Sequence, residues 1–420
     1  MRVLWITNNL LPDACEFFGI SKVVKTGWLH SSANQIKNHV ELYIATLYVG
    51  YKIKKQLING ITYILIPSKK DRRELDESTY QHWKKINKEI FPEVIHIHGT
   101  EYPIGLGYIN ACGTEKVVVS IQGLISVCAN YYNAGMNNWD ILFSTTLRDI
   151  IKSQTLWNNR NNFAKQGRYE MEYFCHIKNI IGRTEWDYAH LSAINPTAHY
   201  FFNNETLRDV FYEGEWDITK IQRHSIFVSQ ANYPLKGFHI LLQAMPIILH
   251  RFPGTKIYVA GFDLTQVCKN VIQAKIRATT YGYYLYSLIQ KLELSDYIQF
   301  LGRLEEYEMK KNYLQAHVFV SASGVENSSN SIGEAQLLGT PVVASFVGGT
   351  DSLVENFKTG LLYPFEDIPR LAYSIIRIFS DDELALKLSM KGREVASIRH
   401  DKIRNRNQLL NIYKGIIRKS

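Results

Sequence analysis

The 420-residue sequence predicts an α/β protein of two Rossmann-like, doubly wound domains facing each other across a cleft. Three observations predict it. Short runs of consecutive apolar, β-branched residues recur, the pattern of strands buried on both faces of a parallel sheet. Helical patterns separate those runs. The runs also fall into two groups on either side of a polar stretch, EGEWDITKIQR at Glu213–Arg223, so each half carries its own sheet. The length suits two domains at roughly 100–200 residues each.

In the first half the strand-like runs are Val3–Thr7, Val40–Tyr48, Thr62–Pro67, Val94–His98, Lys116–Ile121 and Asn179–Gly182. In the second half they are Ser225–Ser229, Lys256–Ala260, Tyr297–Leu301, His317–Ser321 and Pro341–Ser345. From Gly237 the apolar residues Phe238, Leu241, Leu242, Met245, Ile248 and Leu249 follow helical spacing. Phe252-Pro253-Gly254 stops that helix, and a strand follows, completing a β-α-β unit. The domains are accordingly placed at 1–216 and 222–395, with a basic helix at 396–420 that crosses back to the first domain. Residues Leu124–Asn162, irregular and rich in aromatic residues and Asn, are expected to cover the first domain.

The net charge of +9 is uneven. Residues 1–220 hold 24 basic and 22 acidic side chains, residues 221–420 hold 24 and 17, and the last thirty alone hold 9 and 2. The excess is therefore a C-terminal feature. It reads first as a solvated basic helix, and second as an attraction to anionic lipid or a phosphate-bearing acceptor. Nucleic acid is excluded because no binding motif or aromatic platform accompanies the charge. The five cysteines form no C-x-x-C pair, which fits a reducing cytosol rather than a disulfide or zinc scaffold. The opening MRVLWITNNL reads as a first strand, and no apolar run approaches membrane-spanning length. A cytoplasmic protein is expected, with room for peripheral contact at the inner membrane face.

Val318–Gly360 carries the chemistry. A strand opens into a Gly/Ser/Asn loop. A short helix then begins near Ser331 and stops at Gly339, and a strand runs into Gly348-Gly349. Strand, small polar loop and helix N-terminus make an anion site, with free backbone N–H groups and the positive end of the helix dipole. A diphosphate suits it. Glu326, in the loop at the strand's C-terminal end, and Glu334, in the helix's first turn, are eight positions apart. Glu334 is placed to accept from a ribose diol, and Glu326 to hold sugar hydroxyls or face charge developing at an anomeric carbon.

SIGEAQLLGTPVVASFVGG, with its Glu-x(7)-Glu, resembles the signature of the retaining GT-B glycosyltransferases of the "glycosyl transferases group 1" family, family 4. VSQANYPLKGFHILLQAM and FLGRLEEYEMKKNYLQAHVFV extend the resemblance. The first domain matches loosely, at VLWITNNLLP, TGWL, HIHGTEYP and IIGRTEWD. The resemblance implies that Lys236 pairs with a donor diphosphate and that Arg303 lines the same pocket. It implies that Asn330, Ser331 and Ile332 present the helix N-terminus, that Glu334 binds ribose, and that Glu326 contacts the transferred sugar. Gly27, His98, Gln122 and Arg183 fall on the first domain's side of the site. Four places depart from the family: Gln230 stands where an Arg is usual, Gln122 where a His is common, Ser352, preceded by Asp351, where an acidic residue is common after Gly348-Gly349, and the first-domain glycine pair is reduced to Thr26-Gly27.

The resulting expectation is a retaining transferase that moves a hexose-type sugar from a UDP- or GDP-linked donor. Its acceptor is a saccharide or lipid-linked saccharide, in cell-surface polysaccharide synthesis. No D-x-D motif is present, so neither a metal nor another cofactor is expected. Two readings compete: a catalytically silent nucleotide-sugar-binding subunit, favoured by Gln230, and a sugar-nucleotide epimerase of the same fold. A NAD-dependent enzyme is disfavoured because no third glycine follows Gly105-Leu106-Gly107. At single residues, His98 also reads as a structural histidine, Arg183 as a partner of Asp187, and Arg303 as a partner of Glu305 or Glu306.

Overall fold

The computed structural model describes residues 1–20, 27–68, 75 and 77–419, so Thr26 lies outside the described residues. The chain divides into two compact units: Met1–Ser126, Lys165–Arg208 and His400–Ser420 form the first, Val127–Ala164 and Asp209–Arg399 the second.

The first unit is an eight-stranded sheet. Its strands are β1 (Arg2–Thr7), β2 (Glu41–Val49), β3 (Lys54–Ile58), β4 (Ile61–Ser68), β5 (Val94–His98), β6 (Val117–Ser120), β7 (Asn179–Gly182) and β8 (His199–Phe202). The order is β3-β4-β2-β1-β5-β6-β7-β8, parallel except at the β3–β4 hairpin. Central strands are buried on consecutive positions because helices cover both faces: in β1 the run Val3, Leu4, Trp5 and Ile6 is fully buried. The hairpin turns at Asn59 and Gly60, both at positive φ.

The second unit is a six-stranded, all-parallel sheet in the order β11-β10-β9-β12-β13-β14. The strands are β9 (Gln222–Val228), β10 (Lys256–Val259), β11 (Ile298–Phe300), β12 (Ala316–Ser321), β13 (Val342–Ser345) and β14 (Leu361–Tyr363). The helix Phe238–Arg251 buries Phe238, Leu241, Leu242, Met245 and Ile248, the spacing read from sequence. Tyr281 packs beside it, sharing a 3.1 Å hydrogen bond with His239.

The segment Val127–Ala164 belongs to the second unit, although it lies inside the 1–216 span assigned from sequence to the first domain. Tyr132 stacks on Tyr233, the backbone carbonyl of Ala134 meets His239 Nε2 at 2.8 Å, and Thr146 Oγ1 donates to Ala278 O at 2.8 Å. Sequence reading missed this because these anchors are isolated polar or aromatic residues without periodicity.

The C-terminal helix Lys402–Lys419 adds Leu409, Ile412, Tyr413 and Ile416 to the first unit's core. Trp5 Nε1 donates to Tyr413 Oη at 2.9 Å, and His96 Nδ1 lies 2.6 Å from the same oxygen. Arg404, Lys414 and Arg418 remain exposed, so the basic tail is the outer face of a packed helix. Among the described residues no helix is long and apolar enough to cross a membrane.

Candidate functional site

In the second unit the chain runs from β9 to β10 on one side, while β12 lies on the other. The C-terminal ends of β9 and β12 therefore flank a topological switch point, where open α/β sheets bind ligands. Ser229 and Gln230 follow β9, and Ser323 to Glu326 follow β12.

A single 3-10 turn, Pro234–Lys236, presents Lys236, and Gly237 closes it at φ +65°. A Cβ on Gly237 would lie 1.7 Å from Ala322 O, so only glycine fits. Gly324 N–H donates to Leu235 O at 2.8 Å, stitching the two loops together. Across this seam Lys236 Nζ donates to Glu326 Oε1 at 2.5 Å, and Ser323 Oγ donates to the same oxygen at 2.7 Å. Ser323 is itself held, its carbonyl accepting from Ser345 Oγ at 2.6 Å. The backbone of Glu326 is pinned from beneath by Gly349 N–H at 3.0 Å. Gly348, at φ +54°, leaves room there that a Cβ would fill to within 1.9 Å of Glu326 O. Glu326 is thus fixed at both side chain and backbone.

Both charged groups are shielded, their side chains 20% and 15% exposed. Burial works against the Lys236 charge, but the Glu326 carboxylate outweighs it and holds the ammonium above its ordinary pKa. Burial likewise raises the neighbouring Tyr233 phenol, which stays neutral.

The helix Asn330–Leu338 starts beside this pair, and its N-cap Ser329 makes no side-chain cap. The N–H groups of Asn330, Ser331 and Ile332 have no partner within the helix, as at any helix start. Ser229, Gln230, Lys236, Ser323, Glu326, Ser329 and Ser331 line one recess. Glu334 is the fifth helical residue, one past the first turn; it is 3% exposed, and Tyr313 Oη donates to it at 3.5 Å. Glu334 and Arg303 are not among the recess-lining residues. Arg303 is exposed and follows β11 and Gly302.

In the first unit His98, Gln122 and Arg183 stand at the C-terminal ends of β5, β6 and β7 and line a second recess, with Trp28, Asn203 and Glu205. Gly27 begins the helix that supplies Trp28. His98 is 7% exposed, and both its ring nitrogens lack a hydrogen-bond partner. Burial, then the adjacent His96, push its pKa well below the ordinary value, so it is neutral. Its ring lies 3.8 Å from that of His96, which hydrogen-bonds Ser120 Oγ and Tyr413 Oη at 2.6 Å each. The Arg183 guanidinium pairs with Glu205 at 2.6 Å and donates to Gln122 O at 2.7 Å. Its backbone N–H donates to Asp187 Oδ2 at 3.0 Å.

Sequence reasoning missed Ser323, Trp28 and Glu205. Ser323 had a signal, since it lies three residues before Glu326 in the same loop. Glu205 had none, because its partner Arg183 is distant in sequence.

Two doubly wound α/β units, one with a phosphate-suited recess at its switch point, define the GT-B architecture. Over all of both chains the structure superposes on sucrose-phosphate synthase from Thermosynechococcus elongatus, with a TM-score of 0.70 at 16% identity. It also superposes on Anabaena HepE bound to UDP-glucose, with a TM-score of 0.67 at 15% identity, over 99% of this chain and 100% of that one. These likenesses establish the fold. Residues 214–395 match the family described as glycosyl transferases group 1. A D-inositol 3-phosphate glycosyltransferase of Corynebacterium urealyticum is 28% identical over 43% of this chain and 41% of its own length. The match thus spans about two fifths of that relative.

Proposed function

We propose that the chain is a retaining, metal-independent glycosyltransferase that moves a hexose-type sugar from a UDP- or GDP-linked donor to a saccharide or lipid-linked saccharide. One observation carries the reading: Lys236 and Glu326 meet at 2.5 Å beside the start of the helix Asn330–Leu338, at the switch point of the second sheet. A sugar nucleotide brings its own leaving group, so the protein must stabilise a departing diphosphate. The N–H groups of Asn330, Ser331 and Ile332 and the Lys236 ammonium supply fixed positive charge there, in the role a metal plays elsewhere. Glu326, held by Ser323, is positioned for the sugar. His98 and Gln122 are assigned to sugar or acceptor contacts, Glu334 to the ribose, and Arg303 to the nucleotide. The resemblance to group 1 transferases, the UDP-glucose in HepE and the glycolipid-type names among the relatives support the reading, and with it we place the enzyme in the cytoplasm, in cell-surface polysaccharide synthesis.

Gln230 lines the recess and brings an amide where a second cation would help hold diphosphate, which favours one alternative: a binding subunit without transfer. A panel of sugar nucleotides screened for thermal stabilisation identifies the donor. With that donor labelled, sugar release to water or acceptor separates enzyme from silent subunit. Glu326→Ala should lower turnover at least about 100-fold without loss of fold, and EDTA should leave the rate unchanged. Wild-type turnover in the variant, or a metal-restorable loss with EDTA, contradicts the assignment.

A further inference from the structure

The inserted segment of the second unit contains two short helices built inside out. In Asn138–Ser144 the inward residues are Ile141 and Ser144, while Trp139, Leu142 and Phe143 are 67%, 52% and 67% exposed. In Leu147–Ile151 the buried residue is Asp149, while Leu147, Ile150 and Ile151 are 54%, 56% and 82% exposed. The helix Val271–Arg277 repeats the inversion, with Ala274 inside and Ile272 74% exposed. Polar bonds lock the three together. Asp149 Oδ2 accepts from Thr280 N–H at 2.6 Å, Thr146 Oγ1 donates to Ala278 O, and Lys275 Nζ donates to the carbonyls of Phe143 and Thr145. The outward apolar side chains therefore sit on helices that are bonded to one another. Patches of this kind mark interaction sites.

We infer that this surface seats the protein on an anionic lipid bilayer, the inserted helices dipping their apolar side chains among the acyl chains. Charge decides between lipid and a second copy of the chain. Lys152, Lys269 and Arg277 are exposed in the same two stretches, 138–154 and 265–279, where the acidic residues are Asp140 and Asp149. Asp149 is buried and bonded to Arg148, and Asp140 is tied into a capping box with Asn137. Two copies meeting here would press cations against cations, whereas anionic headgroups complement them. The inference goes beyond the proposed transfer reaction and needs no nucleotide, so the two succeed or fail separately.

The test is co-sedimentation of the full chain with vesicles of phosphatidylcholine containing about one third phosphatidylglycerol, alongside pure phosphatidylcholine. The wild type should pellet with the anionic vesicles. Ile151→Glu with Ile272→Glu, both at exposed positions, should weaken binding at least about tenfold. Lys152→Glu with Lys269→Glu and Arg277→Glu should abolish the preference for anionic vesicles. A wild-type chain left in the supernatant, or an unchanged Ile151→Glu/Ile272→Glu variant, overturns the inference. So does a lipid-free dimer, seen by light scattering, that the same double substitution dissociates.

Discussion

Lys236 and Glu326 neutralise each other in the unliganded recess, and this sets a competition. An incoming diphosphate must share Lys236 with Glu326, which accepts from it at 2.5 Å. Removing the carboxylate charge while keeping its shape frees the ammonium and removes a like charge near the phosphates. Glu326→Gln should therefore bind nucleoside diphosphate more tightly, by roughly threefold to tenfold for an ion pair of about 1 kcal/mol, while transfer collapses. Weaker diphosphate binding in that variant, by calorimetry, would place Glu326 on the phosphate rather than the sugar. Glu326 is readable from sequence, because a spaced carboxylate pair beside a Gly/Ser/Asn loop announces itself locally, whereas Lys236 is picked out only through the family resemblance of VSQANYPLKGFHILLQAM. The burial of Glu334 against Tyr313 is not readable, since it depends on how the helix is rotated onto its neighbour.

Among the elements, the C-terminal helix Lys402–Lys419 shows how a remote segment completes a core. Tyr413 Oη satisfies Trp5 Nε1 and His96 Nδ1, both buried. Tyr413→Phe keeps the ring but leaves those groups unpaired, at a cost of about 1–3 kcal/mol. Urea midpoints would register it, and an unchanged midpoint would show that water or a shift of His96 replaces the hydroxyl. Strands with consecutive apolar residues were legible because burial on both faces leaves one pattern. Three strands were not: β3 is mostly exposed with sequence KKQLI, β8 is only half-buried, and β14 has three residues. The inserted helices defeat periodicity, since they bury Ser144 and Asp149 and expose every apolar side chain but Ile141.

Across the whole molecule, buried histidines set the acid limit. Burial lowers His96 to about 3, and His239 and His317 to about 4. Above the ordinary histidine pKa of about 6.5 these groups are neutral in both states and stability is flat. Below it the unfolded chain takes up protons that the folded chain refuses, so stability falls as pH falls, by about 1.4 kcal/mol per pH unit per histidine. In the first unit Glu101 and Glu170 oppose this, because burial raises their pKa and folding then favours the protonated carboxyl. The second unit, with His239 and His317, should lose stability first, and denaturation midpoints between about pH 7 and 5 should fall. A flat profile would mean those histidines reach solvent.

Calorimetric titration of UDP and GDP into wild type and Lys236→Ala bears most directly on the recess as a donor diphosphate site. One of the two nucleotides should bind the wild type, and the variant should lose at least about tenfold in affinity. Equal affinity in both proteins, or no binding of either nucleotide to the wild type, would contradict it.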